Sequence, residues 1–413
     1  MVETNLILLG ISFILFFGLF AEFIFRKTNL PDLLLLIILG FLIGPYGLGL
    51  VDPGDFTQFA PAFTTFALLF LLYDGAYNID LVSFAKGVTK SMRITLFSFF
   101  LSAVTITGIM LIFEFDILSS LLTGFMLGGI SSTFAIPILN KLKVSKEVYS
   151  IITLESAITD VFTIVFALTV LEIINIGSFN VQVLVGSIVS LFAVAGLVGI
   201  LAGVGWIFLM TRILKHNKAY MMTIAYVILV YVLTEFLKGN GAIACLFLGL
   251  ILRNSQRLKL LFKLLSHRNR PEIKAEEFSD TVSVTSVEEK SFYDQISFFL
   301  KTFFFVYIGT IFVLNDLMAI VIGLTITFLV LVIRHLTKYV TKDFDDKGRK
   351  LISVMFARGL AAAAIVQFAF LQDIPFAVEI SHIAYAVIAF TILASSIRIF
   401  MLKDVIATQD AAK

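Results

Sequence analysis

Residues 149–168 read YSIITLESAITDVFTIVFAL. The run is apolar and long enough to cross about 30 Å of hydrocarbon at roughly 1.5 Å per residue. Yet it carries Glu155 and Asp160 near its middle. An ionisable group at that depth costs about 2.5 to 3.5 kcal/mol even on the gentlest insertion scale. Two acids on one span therefore need a task or a partner, and the rest of the sequence is read against that demand.

Outward from this run the chain is apolar almost throughout. Hydrophobic residues make up 59% of its 413 positions and charged residues 15%, too few to cover a water-soluble core of this size. We expect an all-α polytopic membrane protein of about thirteen spans, near 5–25, 30–48, 56–76, 93–114, 117–139, 147–172, 181–211, 219–237, 239–252, 296–314, 316–336, 350–371 and 376–401. Lys and Arg alternate with that count. Arg26 and Lys27, Lys86, Lys90 and Arg93, Lys141, Lys143 and Lys146, and Arg212, Lys215 and Lys218 follow odd-numbered spans, whereas the loops after even-numbered spans hold only Lys238. The positive-inside rule then sets the chain in the cell membrane with its N-terminus outside and its C-terminus in the cytoplasm. The first run, Leu6 to Phe25, lacks the basic lead and the cleavage site of a signal peptide and reads as a retained helix.

An odd count lets spans one to six and eight to thirteen form inverted repeats about span seven. LIILGFLIGP at 36–45 echoes CLFLGLILRN at 245–254, and LLFLLYDG at 68–75 echoes TFFFVYIG at 302–309. Residues 1–252 then hold the first repeat, the linker helix and the start of the second repeat. Residues 253–290 form a cytoplasmic polar loop that opens as a basic amphipathic helix on the membrane lipid, 291–403 complete the second repeat, and 404–413 are a short tail.

Few ionisable groups lie inside the spans: Glu155 and Asp160, Arg358 in LISVMFARGLAAAAIVQFAF, Asp74 in span three, and Arg334 at the inner end of span eleven. Asp160 shares a helix face with Ser156 four residues away, and Glu155 shares one with Thr159. The two carboxylates are five residues apart, about 140° around the helix, which assigns them different roles. Asp160 with Ser156 makes an oxygen-rich face for a hard monovalent cation, and Glu155 is expected to pair with Arg358. Structural ion pairing is the plainer reading of Glu155 and Arg358, and the weaker one for Asp160. Span five contributes LGGISSTFAIPILN at 127–140, where two glycines, the hydroxyls of Ser131, Ser132 and Thr133, and Pro137 make a poor helix. It is expected to unwind at mid-membrane and offer half-helix ends to an ion. Span twelve, its counterpart, has small residues after Arg358 that permit close crossing. Ordinary small-residue packing explains the same spacing equally well.

Covalent catalysis is not expected. His216, His267, His335 and His382 show no metal-ligand spacing, and there is no P-loop, dinucleotide fingerprint or nucleophile elbow. No basic stripe points to nucleic acid, no cofactor is implied, and Cys245 reads as a small buried thiol.

These residues together resemble the sodium/proton exchangers of the monovalent cation:proton antiporter superfamily, over almost the whole chain. The resemblance rests on LIILGFLIGPYGLGL at 36–50, LLFLLYDGAYNID at 68–80, GNGAIACLFLGLILRN at 239–254, RGLAAA at 358–363 and, most specifically, LESAITD at 154–160. It implies discontinuous crossing helices in spans five and twelve, a homodimer, and Asp160 as the carboxylate that binds Na⁺, K⁺ or Li⁺. Ser156, Thr133, Thr159 and Ser132 become ion-site residues, and Glu155, Arg358, Arg334 and Asp74 proton-coupling or structural charges. The family's Asn-Asp becomes Thr159-Asp160, and its Thr-Asp-Pro becomes Thr133, Phe134 and Ala135. The Ser-Ser-Thr string is similar to the potassium-efflux branch.

The implied mechanism is competition. Burial disfavours the charged form of Asp160, a bound cation favours it, and only the occupied site crosses the barrier readily. A core of spans five, six, twelve and thirteen would expose it to each side in turn, one proton per cation. The rival readings are an organic-anion carrier on a related scaffold, which needs a paired arginine or an open helix N-terminus, and a non-transporting sensor acting through the polar loop.

Overall fold

The computed structural model describes residues 2–28, 30–52, 54, 60–77, 81–142, 144, 146–177, 181–212, 220–255, 287–341, 344 and 346–410. Most of the polar loop expected at 253–290 lies outside the described residues, as do Lys143, Lys215 and Lys218.

The described residues form fifteen α-helices and no strand. In chain order they are α1 (Val2–Lys27), α2 (Asp32–Ile43), α3 (Ala60–Tyr77), α4 (Leu81–Ile112), α5 (Ile117–Met126), α6 (Ser132–Leu142), α7 (Lys146–Ile176) and α8 (Val181–Arg212). They continue with α9 (Tyr220–Phe236), α10 (Gly241–Arg253), α11 (Val287–Ile311), α12 (Leu317–Leu336), α13 (Asp346–Val354), α14 (Leu360–Leu371) and α15 (Ala377–Asp410). Helix is what hydrocarbon demands, because it satisfies every backbone polar group within the segment. Among the described residues, six helices are able to span a membrane by length and composition, and five shorter apolar helices of 10–17 residues accompany them.

Each segment expected from hydropathy holds a helix, and those at 117–139 and 350–371 hold two each. Residues 127–131 separate α5 from α6, and residues 355–359 separate α13 from α14. The order of elements from α1 to α7 thus recurs from α9 to α15, with α8 between. α4 and α11 begin at Leu81 and Val287, ahead of the apolar runs at 93 and 296, because backbone hydrogen bonding continues past the point where hydropathy falls.

The chain divides into two compact units. One comprises Met1–Ala67, Gly87–Gly177 and Ser297–Lys413, and the other Leu68–Lys86 and Ser178–Ile296. In the first, α7 packs against α5, α6 and α14, and α12 lies along α15. α2 and α11 cross backbone to backbone at two glycines. A Cβ on Gly40 would fall on the Val306 carbonyl, and one on Gly309 on the Ile37 carbonyl. Within the second unit α8 and α10 are in close contact, with Gly199 against the backbone of Ala244. Trp206 stacks on Tyr226 with ring centroids 4.4 Å apart, and the Tyr73 and Tyr293 hydroxyls meet at 3.1 Å. Along α1 the large apolar side chains Leu9, Phe13, Phe16 and Phe20 are exposed, a surface suited to hydrocarbon.

Gly40→Val is expected to destabilise the protein by about 1–3 kcal/mol through overpacking. The lower thermal midpoint should be read in detergent beside Gly10→Val, which should change little because nothing lies within 4 Å of a Cβ there.

Candidate ion-binding site

Two interrupted helices and one continuous helix make the site. At the first interruption Gly128 and Gly129 end α5, and the next turn begins at Ser131. Ser131 is an N-cap in all but name: its hydroxyl accepts the Phe134 N–H at 3.3 Å and pairs with the Thr133 hydroxyl at 2.8 Å. Its own N–H donates to the Ala357 carbonyl at 2.9 Å, which ties the first interruption to the second by main chain alone. A Cβ at Gly359 would land on the Ser131 side chain, so the approach tolerates only glycine there. α7 then locks the first interruption in place. The Thr159 hydroxyl accepts the Ile130 N–H at 3.1 Å and lies 3.3 Å from the Ile130 carbonyl.

The charges follow the half-helix ends. Unsatisfied carbonyls give a helix C-terminus partial negative charge, and unsatisfied N–H groups make the N-terminus positive. Arg358 sends Nη1 to the Gly129 carbonyl at 2.5 Å, just past the C-terminal end of α5. Its own N–H donates to the Thr391 hydroxyl of α15 at 3.0 Å. Arg334 sends Nε to the Ile352 carbonyl at 2.7 Å, in the last turn of α13. Each buried arginine thus caps the negative end of one half-helix. At the positive end of α6 sits the Asp160 carboxylate, which accepts the Ser132 hydroxyl at 2.5 Å.

The structure corrects one pairing. Glu155 was expected against Arg358, but Arg334 grips it with both terminal nitrogens, one of them at 2.9 Å. The Ser98 hydroxyl donates to the same carboxylate at 2.8 Å, and all three side chains are buried. The reason is reach and demand: Arg358 is already drawn to the Gly129 carbonyl, while Arg334 can serve Glu155 and the end of α13 together. A bidentate, hydrogen-bonded pair is the geometry in which two buried charges tolerate loss of water.

Of the other residues singled out by sequence, Ser132 meets Asp160 directly and Thr159 holds the break beside it. Ser156 is buried and donates to the Thr153 carbonyl at 3.1 Å, and Thr133 turns to Ser131. Among the described residues neither hydroxyl is bonded to the Asp160 carboxylate. Asp74 is half-buried on α3 in the other unit. Sequence reading missed Ser98 and Thr391. Ser98 was detectable: Ser91, Thr95 and Ser98 form a hydroxyl stripe at helical spacing on an otherwise apolar run, and all three are buried. Thr391 gave no such pattern. Phe134, where the resembled family has an acid, is buried, and the Asp160 carboxylate lies at the positive end of α6 that such an acid would face.

A family model described as sodium/hydrogen exchanger, transmembrane, matches residues 11–403. The chain belongs to this family. It is a multi-pass membrane protein. Among curated proteins, the Na(+)/H(+) antiporter NhaS5 of Synechocystis sp. is 26% identical over 202 residues, which cover 48% of this chain and 28% of that protein. The matched part thus spans under a third of that relative's length. Among solved structures, the sodium proton antiporter MjNhaP1 of Methanocaldococcus jannaschii at pH 8 superposes with a TM-score of 0.72 at 18% identity, covering 98% of this chain and 97% of the other. A second structure of the same antiporter gives a TM-score of 0.67 over 96% and 94%. At that identity the likeness is one of fold, and it extends over the whole exchanger architecture.

Arg334→Met, which strands Glu155 in a buried site, is expected to destabilise by about 3–5 kcal/mol. The double variant Glu155→Leu/Arg334→Met should recover at least half of that loss, read as thermal unfolding midpoints in detergent.

Proposed function

We propose that this chain exchanges Na⁺ for protons across the cell membrane, with K⁺ and Li⁺ as further candidate cations, and that Asp160 takes either a cation or a proton. One observation carries the reading: the Asp160 carboxylate rests on the Ser132 hydroxyl at the N-terminal end of a broken helix, half-buried, while the neighbouring acid Glu155 is fully engaged by Arg334. That leaves one carboxylate to change its occupant. A hard cation takes oxygen donors, and Asp160, Ser132 and the neighbouring hydroxyls of Thr133, Ser156 and Thr159 are of that kind.

The charge balance supports one-for-one exchange. Glu155 and Arg334 cancel, and Arg358 and an ionised Asp160 carry opposite charges. Filling the site with H⁺ or with Na⁺ adds the same single charge, so the occupied site is electrically alike in both halves of the cycle. Exchange of one for one then moves no net charge. The remaining parts of the proposal are alternating access through joint movement of the crossing helices, a homodimer, membrane lipid at the polar loop, and the N-terminus outside.

Because both ligands compete for one carboxylate, acid should oppose Na⁺ by simple linkage. In proteoliposomes, Na⁺ addition should release protons, and below the titration of the site each unit fall in pH should raise the apparent KM for Na⁺ about tenfold. Asp160→Asn should abolish this exchange, and clamping the membrane potential should leave its rate unchanged. Proton-coupled Na⁺ exchange surviving in Asp160→Asn would sink the assignment. Repeating the assay with each alkali cation ranks them.

A further inference from the structure

The far end of α6 bears a contact that the ion site does not explain. Lys141, in its last turn, donates from Nζ to the carbonyls of Phe25 and Thr28 and lies 4.7 Å above the Phe25 ring. Those carbonyls belong to the C-terminal end of α1, whose partial negative charge attracts a cation. The contact borders a cavity of about 400 Å³, in whose wall Asp32 is held by Lys301 at 2.5 Å and Glu22 by Arg26 at 2.8 Å.

α6 is an eleven-residue rod, roughly 16 Å long at 1.5 Å per residue. Its first residue holds Asp160 and its last turn holds α1. Pro137 lies inside it and has no N–H to give the Thr133 carbonyl, so the first turn is joined to the rest by one hydrogen bond fewer. The other bonds of α6 keep it one continuous helix, so an anchor at its trailing end still bears on its leading turn. The leading end has the Ser131 and Ser132 contacts, and the trailing end has Lys141.

We propose that Lys141 is a positioning residue for the ion site: by gripping the terminal carbonyls of α1 it sets the axial position of α6 and thereby seats Ser132 on Asp160. This rests on the exchanger reading above.

The test compares the parent, Lys141→Met and Lys141→Arg as full-length protein, by Na⁺-driven proton release in proteoliposomes and by amide hydrogen exchange. Lys141→Met should raise the apparent KM for Na⁺ at least threefold while changing the maximal rate less than twofold. It should also speed exchange at residues 132–135, at the opposite end of α6, by at least threefold, with α8 unchanged. Lys141→Arg, which keeps two donors for the two carbonyls, should stay within twofold of the parent in every reading. Parental exchange at 132–135 in Lys141→Met overturns the proposal, and so does a parental KM despite faster exchange there. Faster exchange throughout, α8 included, also overturns it, since that is loss of stability. A parent that releases no protons on Na⁺ addition refutes the exchanger reading instead, and the amide exchange at 132–135 then decides the role of Lys141.

Discussion

Everything near Asp160 depends on one constraint: a helix may be interrupted inside hydrocarbon only where its freed backbone groups find partners. This chain meets the constraint by setting its two interruptions against each other. The Ser131 N–H closes on the Ala357 carbonyl, Thr159 satisfies Ile130, and Arg358 takes the Gly129 carbonyl. The glycines are there for space, since a side chain at Gly359 would occupy the place of Ser131. The site is the by-product of that solution, for the ends that needed partners are also the ends that attract charge.

The charges divide the labour accordingly. Cations sit at the carbonyl ends of α5 and α13, and the anion Asp160 sits at the amide end of α6. Glu155 is taken out of play by two nitrogens of Arg334 and the hydroxyl of Ser98. The crossing helix of the resembled family carries an acid where this chain has Phe134. Here the end of α6 has the hydroxyls of Ser131, Ser132 and Thr133 and the Asp160 carboxylate, and Phe134 is buried.

Much of this was legible in the sequence because the bilayer imposes simple rules. Apolar length located the helices, and the Gly-Gly and Ser-Ser-Thr composition of 127–140 marked the first interruption. The second was harder, since RGLAAAA carries no helix breaker except Gly359, and its unwinding depends on contacts with Ser131 that are distant in sequence. The same limit explains the misassigned partner of Glu155. Spacing along one helix says which face a carboxylate occupies, but not which of two arginines, on α12 or at the α13–α14 break, is already engaged by a carbonyl. Ser132 over Ser156 as the hydroxyl on Asp160 is a further case: a neighbour on the same helix looked closer than one presented by the tip of another.

The tie between Ser131 and Ala357 is made of peptide groups only. Replacing side chains one by one, as a mutational scan does, therefore leaves it untouched almost everywhere, and the scan would assign it no importance. Apart from proline at position 131 or a side chain at Gly359, what reaches it is chemistry that edits the backbone, such as an ester in place of the amide. A linkage exposed to so few substitutions is also hard to lose by drift.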